Sequence, residues 1–507
     1  MKFITALFGN GSPKKMGKQY MKVGKNALFG IKPSGIKEIY AEKGPTPLSL
    51  LLSRKGKVKH SRIAVILFGL FALAIGIILS SIPWVDYVLM KQLRLWNGSL
   101  SFQYWQKPGV VRLTKVYIFN VTNTDGFLNF GEKPKVEEVG PFVYKEDMEK
   151  VNIAFHDNGT VTYQHKKILN FMPEMSKDGD LRVMVPNIPL LRNGTLSEVH
   201  TIYTGEKGMK NFGLLNKLNG MDTLPFWPKE PCNSISASEG SFFPPRDTTG
   251  SDIVHLWDKD ICRILPLQYR GPADKTGIRA DLYTPTDTIF DPPSEETPDN
   301  ECFCQDEPEN CPVRGLQNIS PCQYSAPVYL SWPHFYKAAP ELLDAVEGLT
   351  PKQELHETYF KIQPKLGVPV EGKVRVQLNL KVENQPAISA AANFPDIVFP
   401  IMWLEEGIDE LTPPIRRWMY LSTTFMDVAA PCFAYGLTLI GFAILTTVVV
   451  KTYKSVKFAR EIVELSRRTE KKGSYLLVNG QHRLIIARDS YLCLNEHYPS
   501  TVESVAV

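Results

Sequence analysis

Catalytic signatures are what this chain most plainly lacks. It holds no Gly-x-Ser-x-Gly elbow, no Gly-x-x-x-x-Gly-Lys-Ser/Thr phosphate loop, no His-Glu-x-x-His pair and no Gly-x-Gly-x-x-Gly turn. The nine histidines are dispersed, and His356-Glu357 has no second histidine to complete a zinc-peptidase helix. Adjacent acids such as Glu405-Glu406 read as solvated charge on an exposed turn. The chain therefore reads as a non-enzyme, with no cofactor and no nucleic-acid partner expected. Acids are also scarce near the start: residues 1–62 hold two, against fourteen Lys and Arg, for a net +12. Residues 451–507 carry +4 and the whole chain +5, which leaves −11 for residues 63–450.

Charge is missing altogether from two long runs, residues 63–82 (IAVILFGLFALAIGIILSSI) and 428–450 (VAAPCFAYGLTLIGFAILTTVVV). At about 1.5 Å per residue, each would span roughly 30 Å as a helix, the thickness of a bilayer's hydrocarbon core. Neither has the polar face that a soluble helix of this length carries. Basic flanks stay in the cytosol. The expected organisation is a cytosolic basic tail (1–62), a first span (63–82), an exofacial domain (83–427), a second span (428–450) and a cytosolic tail (451–507). The first run is too long and starts too late for a cleaved signal peptide, so it reads as a signal anchor. Trp84 and Tyr87 follow it as an interfacial belt would.

Six of the eight cysteines (Cys232, Cys262, Cys302, Cys304, Cys311 and Cys322) lie in the exofacial segment. An even number in an oxidising compartment reads as three disulfides, with fifteen possible pairings; Cys302 and Cys304 are too close to pair well. Zinc on Cys302, Cys304, Cys311 and Cys322 is the rival reading, weakened by the absence of a paired Cys-x-x-Cys knuckle. Cys432, in the second span, reads as a small buried residue, and Cys493 as a thiol of the cytosolic tail. Asn-x-Ser/Thr acceptors stand at Asn97, Asn120, Asn158, Asn193 and Asn318, all exofacial, and most are expected to carry glycans. A sixth match, Asn10, is cytosolic under this topology and should stay bare.

Strand patterns dominate the exofacial domain. Residues 373–382 (KVRVQLNLKV) alternate, with Val374, Val376, Leu378, Leu380 and Val382 on one face and Lys373, Arg375, Gln377, Asn379 and Lys381 on the other. That predicts a half-buried strand with a solvated face. Residues 151–163 hold two β-prone runs around Asn158-Gly159, which predicts a hairpin with a two-residue turn. Residues 111–121 read as a third strand. Helix is expected as a continuation of the first span over 84–95, and over 339–348, which Gly348 and Pro351 stop. Residues 291–300 (DPPSEETPDN) read as an acidic, proline-rich surface loop.

Local motifs resemble the class B scavenger receptors. KVYIFNVTN (115–123) and EEVGPFVY (137–144) look like that family's N-terminal ectodomain signature. SFFPP (241–245), DICR (260–263), NECFC (300–304), VYLSWPHFY (328–336) and FPIMWLE (399–405) follow in its order. The resemblance implies a two-span membrane protein with a β-rich (α+β) ectodomain, an antiparallel β-barrel-like core and a distal helical bundle at its apex. It also implies the bridges Cys232–Cys302, Cys262–Cys322 and Cys304–Cys311. The implied function is a scavenger receptor for lipids, fatty acids, sterols, lipoproteins or other polyanionic and lipid-bearing ligands. Uptake would run through an apolar tunnel. The plain alternative for Val374, Val376, Leu378 and Leu380 is that they fill a solid core.

The chain departs from the family in two places. After residues 181–191 (LRVMVPNIPLL) the family pattern calls for several dozen residues of apical helices. Here the chain runs directly into residues 193–205 (NGTLSEVHTIYTG), so the apical bundle reads as reduced. The basic N-tail is also unusually long; lysines beside a span set orientation and can hold anionic lipid. In the C-tail, Tyr475 to Val478 (YLLV) and Tyr491 to Leu494 (YLCL) match the Tyr-x-x-apolar pattern that binds clathrin adaptors as an extended strand. Residence at the plasma membrane is expected. The alternative is an endosomal or lysosomal membrane receptor that carries a protein cargo.

Overall fold

The computed structural model describes residues 53–54, 57–58, 60–177, 196–246, 253–304, 311–323, 325–382, 395–472, 475–478 and 481–484. They divide into two units, one made of Met1–Ile82 with Cys432–Val507 and the other of Pro83–Pro431. The principal elements are α1 (His60–Ser81), α2 (Trp84–Leu93), α3 (Leu100–Gln106), β1 (Val110–Val121), β2 (Val136–His156), β3 (Thr160–Phe171), β4 (Leu196–Tyr203), β5 (Leu215–Leu218), β6 (Ile253–Asp258), β7 (Arg263–Lys275), β8 (Ile278–Pro285), β9 (Gln317–Asn318), β10 (Val328–Ser331), β11 (Tyr359–Gln363), β12 (Val368–Val382), β13 (Ile397–Leu411), α4 (Pro413–Tyr420) and α5 (Met426–Lys472).

Both charge-free runs are helical, in α1 and within α5, and both helices are long and apolar enough to cross a membrane. In α1 the buried residues are Gly69, Ala72 and Gly76, a seam of small side chains. A Cβ added at Gly441 of α5 would come within 2.6 Å of the Leu73 nitrogen, so the two helices approach backbone to backbone. Small residues allow this where no water drives association. Cys432 is exposed rather than buried, because it lies off this seam.

The Pro83–Pro431 unit is built on one antiparallel sheet of thirteen strands, in the order β5-β4-β3-β2-β1-β13-β12-β11-β8-β7-β6, with β10 pairing both β9 and β12. The barrel-like expectation needs correction, because this ladder is not closed. Its edge strands β5 and β6 do not pair with each other. Ala237 and Ser238 link the two margins: Ser238 bridges Leu214 on one side and Leu256 on the other, and the Ala237 carbonyl accepts from the Leu215 N–H at 2.9 Å. The stretch between β5 and β6 carries Pro225, Pro228, Pro231, Pro244 and Pro245, and residues without an N–H cannot extend a ladder. The junction after residues 181–191, where the apical bundle reads as reduced, falls within residues 178–195, which lie outside the described residues.

The strand predicted at 111–121 is β1. The predicted hairpin is formed by β2 and β3, but His156 pairs with Thr160, so the loop has three residues rather than two. Gly159 closes it at φ 79°, the left-handed position such a loop requires. The helix expected over 84–95 is α2. Of the one expected over 339–348, only Pro340–Asp344 is helical.

On β12 the predicted alternation holds, but the solvated face does not. Gln377 and Asn379 are 0% exposed and Arg375 is 5% exposed. The chain between β10 and β11 folds over them. The His334 N–H donates to Gln377 Oε1 at 2.6 Å, Asn379 Nδ2 donates to Ser331 Oγ at 3.0 Å, and Arg375 Nη1 donates to the Glu357 carbonyl at 2.7 Å. Every one of these polar groups has found a partner, as burial demands. On the opposite face Val376 belongs to the main core cluster, with Val374, Leu378 and Leu404 packed against it. Those three are only half-buried. The inner face is therefore not tightly filled.

Candidate functional site

A cavity of about 100 Å³ lies where α2, α3 and α4 meet the start of β1, the start of β12 and the end of β13. Local chemistry fixes each wall. Ser99 caps α3, its Oγ accepting from the Phe102 N–H at 3.0 Å. Ser101 Oγ donates to the Gln92 carbonyl at 2.6 Å and pins α3 to α2. Thr412 precedes two prolines in the first turn of α4, where their missing N–H costs nothing. The Thr412 N–H donates to the Gly109 carbonyl at 3.0 Å, joining the end of β13 to the entry of β1. A Cβ at Gly109 would sit 2.8 Å from the Ile415 Cδ1 and 2.9 Å from the Thr412 Oγ1, so a larger residue here would have to displace those side chains.

The lining is almost wholly apolar and aromatic, including Leu93, Tyr104, Trp105, Phe242, Ile408 and Trp418. Arg112 is its one charged member. Behind Trp105 and Ser241 stands Lys150, whose side chain is completely buried. Its ammonium donates to the Trp105 carbonyl at 3.1 Å and to Ser241 Oγ at 2.8 Å, and lies 4.0 Å from Glu239. It also sits 5.0 Å from the Trp105 ring centre. Burial lowers its pKa to about 8, with Glu239 opposing. Glu239 lies well below the usual carboxylate range: burial would raise it, but Lys150 and His165 outweigh that. Burial drives His165 down to about 4. The Lys150–Glu239 pair is thus charged and His165 neutral at physiological pH.

A second ionic group continues along the inner face. Arg112 Nε lies 3.1 Å from Glu146 Oε2, Lys167 lies 3.1 Å from Glu146, and Lys167 also pairs with Glu406. The pair Glu405-Glu406, read above as solvated charge, is split by the strand's alternation. Glu406 joins Lys167, whereas Glu405 faces Lys115, Lys373 and Arg375 on the covered outer face. Asp260 is exposed, and burial and then Asp258 raise its pKa to about 7, with Glu406 adding to the effect.

Disulfides join Cys232 to Cys302, Cys262 to Cys322, and Cys304 to Cys311. Of the five glycan acceptors, Asn97 and Asn158 are exposed and Asn120 and Asn318 half-buried, while Asn193 lies outside the described residues. Asn158 Oδ1 accepts from the Thr160 hydroxyl at 2.6 Å, and Asn318 Oδ1 from the Ser320 hydroxyl at 2.6 Å. Tyr475–Val478 forms a strand paired with Gln481–Leu484, whereas Tyr491, Leu494 and Cys493 lie outside the described residues. Among the described residues, none of the cysteines, acceptors or tail motifs lines the cavity. Arg112, Lys150 and Glu239, which build its polar side, carry no motif in the sequence; each sits in an ordinary strand or loop, and only tertiary contact shows its role.

Comparison with known proteins gives a consistent result. The sequence model described as the CD36 family matches residues 65–197 and 191–452. Scavenger receptor class B member 1 of Rattus norvegicus is 29% identical over 410 residues, covering 67% of this chain and 79% of that protein. Lysosome membrane protein 2 of Homo sapiens is 29% identical over 391 residues (64% and 80%). Sensory neuron membrane protein 2 of Manduca sexta is 28% identical over 458 residues (71% and 87%). The two family matches meet at 191–197, where the apical segment reads as shortened. Two-thirds of 507 residues is about 340, so roughly 70 of the 410 positions aligned with the rat receptor find no residue in this chain.

Proposed function

This chain belongs to the CD36 family, and on that premise we propose that it is a scavenger receptor which binds lipids or lipid-bearing particles and takes them up through the interior of its ectodomain. The observation that carries the lipid reading is the apolar side of the sheet: a cavity lies at the start of β1 and β12 and the end of β13, and Val374, Leu378 and Leu404 are half-buried farther along the same strands. Apolar surface left open to water costs about 25 cal/mol per Å². A lipid chain that covers it recovers this, and itself gains about 0.8 kcal/mol for each CH₂ taken out of water. The protein acts as a receptor, without chemistry of its own. Both tails are cytosolic and the glycans exofacial, a reading that rests on the split of charge along the chain.

The shortened segment before β4 bears on how ligands arrive. We take the distal bundle to be reduced, so particles dock less firmly than on a receptor that has one, and monomeric lipid is the better ligand. The test is uptake by cells expressing the full chain, corrected for surface amount by biotinylation. Labelled monomeric lipid should enter above the level of untransfected cells, and lipoprotein should gain when the missing segment is restored. No lipid uptake at a good surface level would refute the reading.

A second reading is favoured by the match to human lysosome membrane protein 2: residence in endosomes or lysosomes, with a protein as cargo. Steady-state confinement to lysosomes, together with a protein retained by the purified chain, would support it over the first.

A further inference from the structure

Arg263 opens β7, directly after Cys262, and is only 6% exposed. A guanidinium keeps its charge at any ordinary pH, and a buried charge without a counter-charge is costly. Lys150 and Arg375, which are buried to the same degree, each face a glutamate: Glu239 at 4.0 Å and Glu405 at 2.8 Å. Arg263 pairs with no acid among the described residues. Its Nη1 donates to the Ile289 carbonyl and to Gln317 Oε1, both at 2.8 Å, and its Nη2 to Asn300 Oδ1 at 3.3 Å. All three acceptors are neutral. The guanidinium carbon lies 3.7 Å from the ring centre of Phe303, a further but partial compensation. The Nε–H is buried and has no partner. Burial lowers the pKa to about 9, and no acid opposes it.

Arg263 lines a cavity of about 20 Å³ together with Phe290, Asn300, Phe303, Gln317 and the bridged Cys304 and Cys311. A space of this size holds one water molecule or one monatomic ion. Water would satisfy the Nε–H and leave the charge unmatched; a small anion does both. The one acid in the lining, Asp291, pairs instead with Arg314 at 3.6 Å. Carboxylates, phosphates and sulfate are too large, and the medium outside a cell is rich in chloride.

We propose that this cavity is a site for a single chloride ion, held by Arg263 beside the Cys304–Cys311 bridge, and that the ion stabilises this part of the ectodomain. The proposal is independent of the lipid reading. Its rival is an internal counter-charge: the loop closed by the bridge carries Asp306, Glu307 and Glu309, which lie outside the described residues.

The experiment is thermal unfolding of the full chain in detergent, at fixed ionic strength, with gluconate exchanged for chloride, bromide or methanesulfonate. Chloride and bromide should raise the midpoint saturably, by about 3 °C for a millimolar site, and methanesulfonate should not. Arg263→Met removes the charge and should abolish the response, whereas Arg263→Lys should keep most of it. Arg263→Met also strands three acceptors, so the quantity read is the anion dependence rather than the midpoint itself. Should that variant fail to fold, crystals of the wild type soaked in bromide carry the test: anomalous scattering is expected at hydrogen-bond distance from Arg263 Nε, and its absence there would overturn the proposal. The triple variant Asp306→Asn, Glu307→Gln, Glu309→Gln should respond to chloride as the wild type does. A wild type blind to chloride would also overturn the proposal, in favour of the loop acids if the triple variant then responds and of a water if it does not. A response that persists in Arg263→Met, or one that methanesulfonate reproduces, would mean an adventitious ion only.

Discussion

Arg375, Gln377 and Asn379 on one face of β12 are sealed from water, whereas Val374, Leu378 and Leu380 on the other face remain half-open. The polar face is the rigid one. Each of its side chains is held by hydrogen bonds from the strands beside it or from the chain that covers it, and Glu405 there collects Lys115, Lys373 and Arg375. The apolar face has only packing to hold it, and that packing is incomplete. The contrast separates two tasks that one strand performs at once: the outer face specifies the fold, and the inner face is left available to a ligand.

The contrast should appear as a gradient of mutational cost. The largest effect belongs to Glu405→Leu, which strips a buried carboxylate from three cations. Removing one member of a buried ionic group costs about 3–5 kcal/mol, to be read by thermal unfolding of the full chain in detergent. A loss under 1 kcal/mol would mean that the outer face is not the rigid one.

Acid should act on the same face. Burial, then His334, lowers His356 to about 4, with Glu138 opposing. A histidine in the unfolded chain titrates near 6.5. Between these values the unfolded state binds a proton that the folded state refuses, so stability is complete above pH 6.5 and falls as pH drops towards 4. Fully developed, the loss is about 3 kcal/mol for this one group. In the fold His356 Nδ1 accepts from the Lys352 N–H at 2.9 Å, a role that an Asn side-chain oxygen can take over. His356→Asn should therefore flatten the pH dependence of unfolding between 6.5 and 5. An unchanged slope would contradict this assignment.

A smaller effect is expected from Gln377→Ala. It strands the buried His334 N–H and should cost about 1–3 kcal/mol, the usual penalty for an unsatisfied buried group. The smallest belongs to the inner face. Val374→Leu adds a methylene, which in a close-packed core costs typically 1–3 kcal/mol. Beside a half-open wall it should cost less than about 1 kcal/mol, and a full core penalty there would argue for a solid interior.

Much of this was legible in the residues, and the remainder was hidden for identifiable reasons. The alternation at 373–382, the hairpin around Gly159 and the two apolar helices are local patterns, and each led to the right element. Whether a polar face meets water is not local. Arg375 and Gln377 are buried by a stretch that returns from 331–358, and nothing in KVRVQLNLKV announces that cover. The cavity was hidden in the same way. Leu93 and Trp418 stand at opposite ends of the ectodomain sequence and meet only because Gly109 and Thr412 join the entry of the sheet to its exit. Closure of the sheet failed as an expectation because prolines interrupt the one stretch that could have completed the ladder.

The measurement that tests the account most directly is photolabelling of the full chain in vesicles with a photoactivatable sterol, followed by peptide mapping of the adducts. The inner face should be labelled, with adducts at Val374, Leu378, Leu404 or Tyr104, and an excess of unlabelled sterol should remove them. The outer face of β12 should stay clean. Adducts confined to α1 and α5, with none on the inner face of the sheet, would contradict the claim that this face lines a space for lipid.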